Sequence, residues 1–229
     1  MEEDLRFAQF PAVGLFAKTN DNWNVGIGEI SFSGKVQNCC VCFIDMIGST
    51  KISSDLNPAQ ISRYYELFLN AIALIARNFG AKIVKNAGDA LIFYFDNVDP
   101  KETMKFKNVL DCGLTMGMAS NALNAKMLNE KLPPVRYRIS ADYGQVSVAK
   151  SLSSQNEDLF GPAMNIAAKI NSLAKPNGLV IGGDLFSVVE GLQEYAFSPA
   201  GTRGEYAAYH VEEKERKEII NPFERKASQ

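Results

Sequence analysis

The most constraining feature of the chain is an unbroken apolar run, Cys39-Cys-Val-Cys-Phe-Ile44, that stops at a carboxylate, Asp45. Such a run has the length of a strand, and a strand with one wet face would alternate apolar with polar residues. The run therefore predicts a strand covered on both faces, in a sheet with material packed on each side. A chain of 229 residues, 46% of them apolar and 22% charged, is large enough to build that core without covalent staples.

The segments that follow predict the rest of the sandwich. Asn57-Pro58 opens a helix, since Asn is a good N-cap and Pro fits the first helical position. Ile61, Tyr65, Phe68, Ile72 and Ile75 give that helix one apolar face, with Tyr64 turned toward a partner subunit, and Gly80 ends it. Ala81–Lys85 and Ala90–Phe95 read as strands joined by the hairpin Asn86-Ala-Gly-Asp89. Lys101–Glu130 is a long helical pattern closed by Pro133-Pro134. Val135–Ala141 and Gln145–Ala149 read as two strands around Gly144, and a shorter helix follows Gly161-Pro162. A strand at Leu179–Ile181, a short helix with Asp184 as its N-cap, and strands near Tyr195–Phe197 and Tyr206–Val211 complete the pattern. Through the strand at Leu179–Ile181 the order is β-α-β-β-α-β-β-α-β. It predicts an α/β (α+β) sandwich with a mixed sheet, whose opening βαββαβ is a ferredoxin-like or palm core. Residues 1–35 form an N-terminal arm with a strand or hairpin, 36–211 the main domain, and 212–229 a charged tail.

Charge and cysteine usage exclude several classes of function. Lys+Arg at 24 against Asp+Glu at 26 leaves a net charge of −2, with no basic excess to attract nucleic acid. No apolar run approaches the roughly 20 residues needed to cross a bilayer, and the first residues, MEEDLRF, are acidic where a secretory signal is basic. Cys39, Cys40, Cys42 and Cys112 suit neither a disulfide framework nor a zinc knuckle; they read as reduced core thiols of a cytoplasmic protein. His210 is the only histidine and has no nucleophile in a motif with it, which removes histidine triads.

Two carboxylates carry the chemical expectation. Asp45 closes a buried strand and Asp89 sits beside Gly88 in a hairpin turn. A carboxylate at such a place is costly to bury without a partner. Two of them on adjacent strands could share hard cations, Mg²⁺ or Mn²⁺, in the two-ion arrangement common in phosphoryl transfer. Gly48-Ser49-Thr50, directly after Asp45, would offer free backbone N–H groups to a triphosphate.

Three segments in order supply specificity. Phe43-Ile-Asp45-Met-Ile-Gly48-Ser-Thr50, Lys85-Asn-Ala-Gly88-Asp89 and Asp158-Leu-Phe-Gly161-Pro-Ala-Met-Asn165-Ile-Ala-Ala-Lys169 together resemble the class III nucleotidyl cyclases, the adenylate and guanylate cyclase family. Gly144-Gln-Val-Ser-Val and Thr202-Arg203-Gly204 add to the resemblance, which covers about residues 36–211. It implies that Asp45 and Asp89 hold two divalent ions, and that Lys85 and Asp158 read the base. It also implies that Asn165 orients the ribose and that position 169 stabilises charge on the α-phosphate. The Lys–Asp pair points to ATP as substrate and 3′,5′-cyclic AMP with pyrophosphate as products. The alternatives are a cyclase for GTP or a pyrimidine nucleotide, and a silent nucleotide-binding homologue. The family usually carries Arg where this chain has Lys169, and Lys offers a mobile point charge in place of a planar fork. Arg203 is the candidate second cation.

The same resemblance implies a homodimer. Lys85 and Asp89 lie four residues apart, roughly 13 Å of extended chain, yet one reads the base and the other holds metal near the phosphates. In the family one subunit supplies the metal aspartates and the other the base-reading pair and the Asn, so a single domain with both sets implies two sites per symmetric pair.

Overall fold

The computed structural model describes residues 16–19, 22–25, 30–96, 98–151 and 157–214. Most of the expected N-terminal arm, and the tail beyond residue 214, lie outside them. The strands β1 (Phe16–Thr19) and β2 (Asn22–Val25) pair as an antiparallel hairpin, in line with the hairpin expected of the arm.

The apolar run lies inside β3 (Ile30–Met46), which starts before the expected boundary near residue 35. Alternate side chains leave it on opposite faces. Cys40, Cys42 and Ile44 join the main core beneath α2 (Pro58–Asn78) and α3 (Thr103–Asn129). Cys39 and Val41 join a second cluster on the other face, with Val84, Ile92, Tyr94, Val146, Val148 and Leu159. Both faces are dry, as the unbroken pattern requires. All four cysteines are buried, and none of them forms a disulfide among the described residues. Burial pushes the Cys40 and Cys42 thiols up and the Cys112 thiol to about 12, which keeps them protonated and unreactive.

β4 (Lys82–Ala87), β5 (Ala90–Phe95), β3 and β6 (Tyr137–Ser151) are neighbours in that order, all antiparallel, which is the ferredoxin-like core. Beyond β6 the sheet continues through β8 (Leu179–Gly182), parallel to β6, then β10 (Tyr206–Glu213) and β9 (Tyr195–Arg203). The short β7 (Glu157–Phe160) pairs with the distal end of β6. The mixed sheet and its helices are the expected architecture.

Helix α2 starts where Asn57-Pro58 places it. The Asn57 side chain accepts from the Gln60 N–H at 3.0 Å, and Gln60 Oε1 accepts from the Asn57 N–H at 3.1 Å. Its buried stripe is Tyr64, Phe68, Ile72 and Ala76, one residue round from the expected face. Tyr64 therefore does not face a partner: it is 1% exposed and its hydroxyl donates to the Pro134 carbonyl. A ring that large is best hidden between helix and sheet, leaving Ile61, Tyr65 and Ile75 at the flanks.

Two other expectations need correction, at Gly144 and at Asp184. The two strands around Gly144 are one, because Gly144 stays in register opposite Cys39; α4 (Pro162–Ile170) packs over it, with Ala163 Cβ at 3.4 Å, an ordinary contact distance, from where a Cβ on Gly144 would lie. Gly48-Ser49-Thr50 does stand at a helix start, as expected: α1 (Ser49–Asp55) begins behind a left-handed Gly48. Asp184 is not the N-cap of α5 (Gly183–Val189): Gly182 holds that position, and the Leu185 N–H donates to Asp142 of β6 at 3.2 Å, which satisfies the helix end from across the sheet.

Candidate active site

Asp45 is opposite Ala90 of β5 and opposite Arg138 of β6. Asp89 immediately precedes Ala90 in the hairpin turn, where Gly88 takes φ 65°. The register thus brings the two carboxylates to one end of adjacent strands, each half-buried. The Asp45 carboxyl is raised above its ordinary value, first by burial and then by the negative charge of Asp89, with Arg138 opposing. Two neighbouring carboxylates fit a hard divalent cation, which typically takes one or two carboxylates and completes its shell with substrate phosphates and water. Gly48, Ser49 and Thr50 follow at the start of α1, whose first turn has no side-chain cap.

Arg138 is the residue that sequence reading missed. Its Nε is buried and has no hydrogen-bond partner among the described residues, beside the Asp45 carboxylate. The only signal for it is the β3–β6 register, which a motif search along the chain does not see.

Lys85 and Asp158 come from β4 and β7, and their side chains meet: Lys85 Nζ is 2.7 Å from Asp158 Oδ1. Both remain open to solvent, at 46% and 29% exposure. A pure donor and an acceptor thus stand side by side on one protomer.

Helix α4 buries Ala163, Ile166, Ala167 and Ile170 and leaves Asn165 and Lys169 exposed one turn apart. Lys169 Nζ lies 4.9 Å from the centroid of the Tyr206 ring. Lys169 and Arg203 line one open pocket of about 480 Å³ with Gly204, Glu205 and Tyr206. Arg203 Nε donates to Ser172 Oγ at 2.8 Å. The candidate residues therefore fall into three sets: the paired aspartates with Arg138 and the α1 start, the Lys85–Asp158 pair, and the cations beside α4. His210 sits within β10, opposite Val180 and Ser198, in a purely structural setting.

A family model described as the adenylate and guanylate cyclase catalytic domain matches residues 32–212. Among characterised proteins, a cytidylate cyclase of Staphylococcus aureus is 26% identical over 184 residues, which is 75% of this chain and 43% of that protein. An adenylate cyclase of Streptomyces griseus is 24% identical over 143 residues, 62% of this chain and 30% of that protein. The chain thus spans less than half the length of either relative. Among solved structures, the adenylyl cyclase CyaB from P. aeruginosa superposes with a TM-score of 0.71 at 18% identity, over 80% of this chain and 97% of that one. The guanylyl cyclase Cya2 gives 0.68 at 17% identity, over 81% and 97%. No helix among the described residues is long and apolar enough to cross a membrane.

Proposed function

The chain belongs to the adenylate and guanylate cyclase catalytic domain family, and from that premise we propose that it converts ATP to 3′,5′-cyclic AMP and pyrophosphate at a site completed by a second copy of itself. The 3′-oxygen forms a bond to the α-phosphorus, the bond from that phosphorus to the β-phosphate bridge breaks, and the hydroxyl proton is lost to solvent.

The observation that carries the choice of base is the Lys85–Asp158 contact at 2.7 Å. Lysine only donates and an ionised aspartate only accepts. Side by side they complement an edge with an amino group next to an unprotonated ring nitrogen, which adenine presents. Guanine and uracil present the reverse order, a carbonyl beside a protonated nitrogen, and would leave both side chains facing like partners. Cytosine shares adenine's pattern. That identity of pattern, with the name of the cytidylate cyclase matched over 184 residues, makes CTP the second reading.

Asp45 and Asp89 would hold Mg²⁺ or Mn²⁺, two ions per site, which when bound supply Lewis-acid activation of the ribose hydroxyl and neutralise the triphosphate. Arg138 and the α1 start lie beside those carboxylates and are suited to phosphate oxygens. Asn165 would orient the ribose, and Lys169 with Arg203 would balance the charge that grows on the phosphates. A homodimer lets the metal end of one copy meet the base-reading end of the other, so that the separate sets on each chain serve two sites.

The test is incubation of the purified chain with each of the four nucleoside triphosphates and Mn²⁺, with products identified by mass spectrometry. Cyclic AMP from ATP is the expected result, and cyclic CMP alone would favour the second reading. Cyclic GMP or cyclic UMP as the main product would overturn the role given to Lys85 and Asp158. No cyclic product from any of the four would overturn the cyclase reading.

A further inference from the structure

The pocket beside α4 holds more than two cations. A lysine on a four-carbon stem is poorly suited to a task that needs one fixed position, because it must give up much rotamer freedom to hold it. In this chain the stem is not left free. The Lys169 ammonium rests over the Tyr206 ring at 4.9 Å from the centroid, inside the range at which a ring face attracts a cation. Glu205, in the β9–β10 turn just before it, interacts with the Tyr206 hydroxyl and raises its pKa. Arg203 is held from the other side. Its Nε donates to Ser172 Oγ at 2.8 Å, and the same hydroxyl donates to the carbonyl oxygen of Lys169 at 3.4 Å. A single serine therefore ties the guanidinium to the backbone of the residue that carries the ammonium.

We propose that Tyr206 and Ser172 are positioning residues: Tyr206 orients Lys169 and Ser172 orients Arg203, so that an ammonium and a guanidinium face one phosphate chain at a fixed spacing. The proposal rests on the cyclase reading and deepens it. A lysine held by a ring, with a guanidinium supplied from the neighbouring hairpin, replaces the fork that a lysine alone lacks. Glu205 lines the same pocket, but its bond to Tyr206 turns its acceptor toward the ring hydroxyl.

The two roles predict different kinetic signatures. Tyr206→Leu removes the ring and lowers kcat by about two- to fivefold with KM little changed, the size expected of an exposed cation–ring contact. Tyr206→Phe keeps the ring face but releases Glu205, so it retains more of the parent kcat than Tyr206→Leu does. In a Lys169→Ala background Tyr206→Leu has no further effect, since the two act as one unit. Ser172→Ala instead raises KM for the nucleotide, by about two- to tenfold. Independently of turnover, NMR of the lysine side chains should show the Lys169 ε-methylene protons shifted upfield by the Tyr206 ring in the parent and in Tyr206→Phe, and not in Tyr206→Leu. A parent chain that makes no cyclic product overturns the cyclase reading. An active parent matched by Tyr206→Leu, or an equal loss with Lys169 already removed, overturns only the positioning role. An unshifted Lys169 signal does the same.

Discussion

Lys85 Nζ lies 2.7 Å from Asp158 Oδ1, joining β4 to β7 through two side chains that both stay open to solvent. An exposed ion pair of this kind contributes about 0–1 kcal/mol to folding, so under the proposed function its value lies in what it offers the nucleotide.

Lys85→Ala should therefore lower kcat/KM for ATP by about 10- to 100-fold, the worth of a hydrogen bond to a charged group. The melting temperature should fall by no more than about 4 °C, the shift that 1 kcal/mol produces in a domain of this size. Steady-state kinetics and thermal unfolding of the same preparation check both halves.

Asp45→Asn and Asp89→Asn should each cut turnover by roughly a hundredfold or more, as loss of a group that stabilises transition-state charge does. Neither should unfold the chain. The Asp89 charge works against ionisation of Asp45, so Asp89→Asn removes a repulsion and its denaturation midpoint should equal or exceed the parent's. A mutant with full activity would displace the metal assignment.

Asp142 gives a pH dependence of defined sign. It is fully buried, and burial pushes its carboxyl from 3.8 up to about 6 despite the bond from the Leu185 N–H. The folded chain keeps this proton where the unfolded chain has released it, so the contribution is complete below pH 3.8 and is lost as pH rises through about 6. The loss amounts to about 3 kcal/mol at roughly 1.4 kcal/mol per pH decade. Denaturant unfolding of the parent and of Asp142→Asn across pH 4 to 7 isolates it: the difference between the two should slope against the parent as pH rises.

Gly161 sits where a Cβ would lie 2.5 Å from the Gln145 carbonyl oxygen and 3.1 Å from Val146 Cα, both backbone atoms that cannot step aside. Gly161→Ala should push the start of α4 off β6, costing about 1–3 kcal/mol of stability. Asn165 and Lys169 ride on that helix, so kcat should fall as well. Denaturant titration and initial rates measure the two effects.

The residues show why some of this was legible in sequence and some was not. Cys39–Ile44 announced a doubly covered strand because a continuous apolar stretch has few other physical solutions, and Asn57-Pro58 marked its helix through cap chemistry that is wholly local. Gly144 misled because a glycine that breaks a strand and one that runs through it in register look alike along the chain. Tyr64 misled because a spacing of three or four fits two adjacent helical stripes, and only packing against Pro134 and the sheet chooses between them. Arg138 was invisible because its meaning comes from the strand beside it. Lys85, Asp158 and Lys169 stand out through motif order, while the contacts they make, that of Lys169 with Tyr206 included, are tertiary.

The single strand through Gly144 has a mechanical consequence. β6 carries Arg138 opposite Asp45 near its start and Ala149 opposite Asp158 near its finish. One ladder therefore fixes the offset between the Asp45 end of the chain and its Asp158 end, as a ruler fixes two marks. An insertion or deletion of one residue anywhere between positions 138 and 149 would throw both marks out of alignment together, so this stretch should tolerate changes of side chain far better than changes of length.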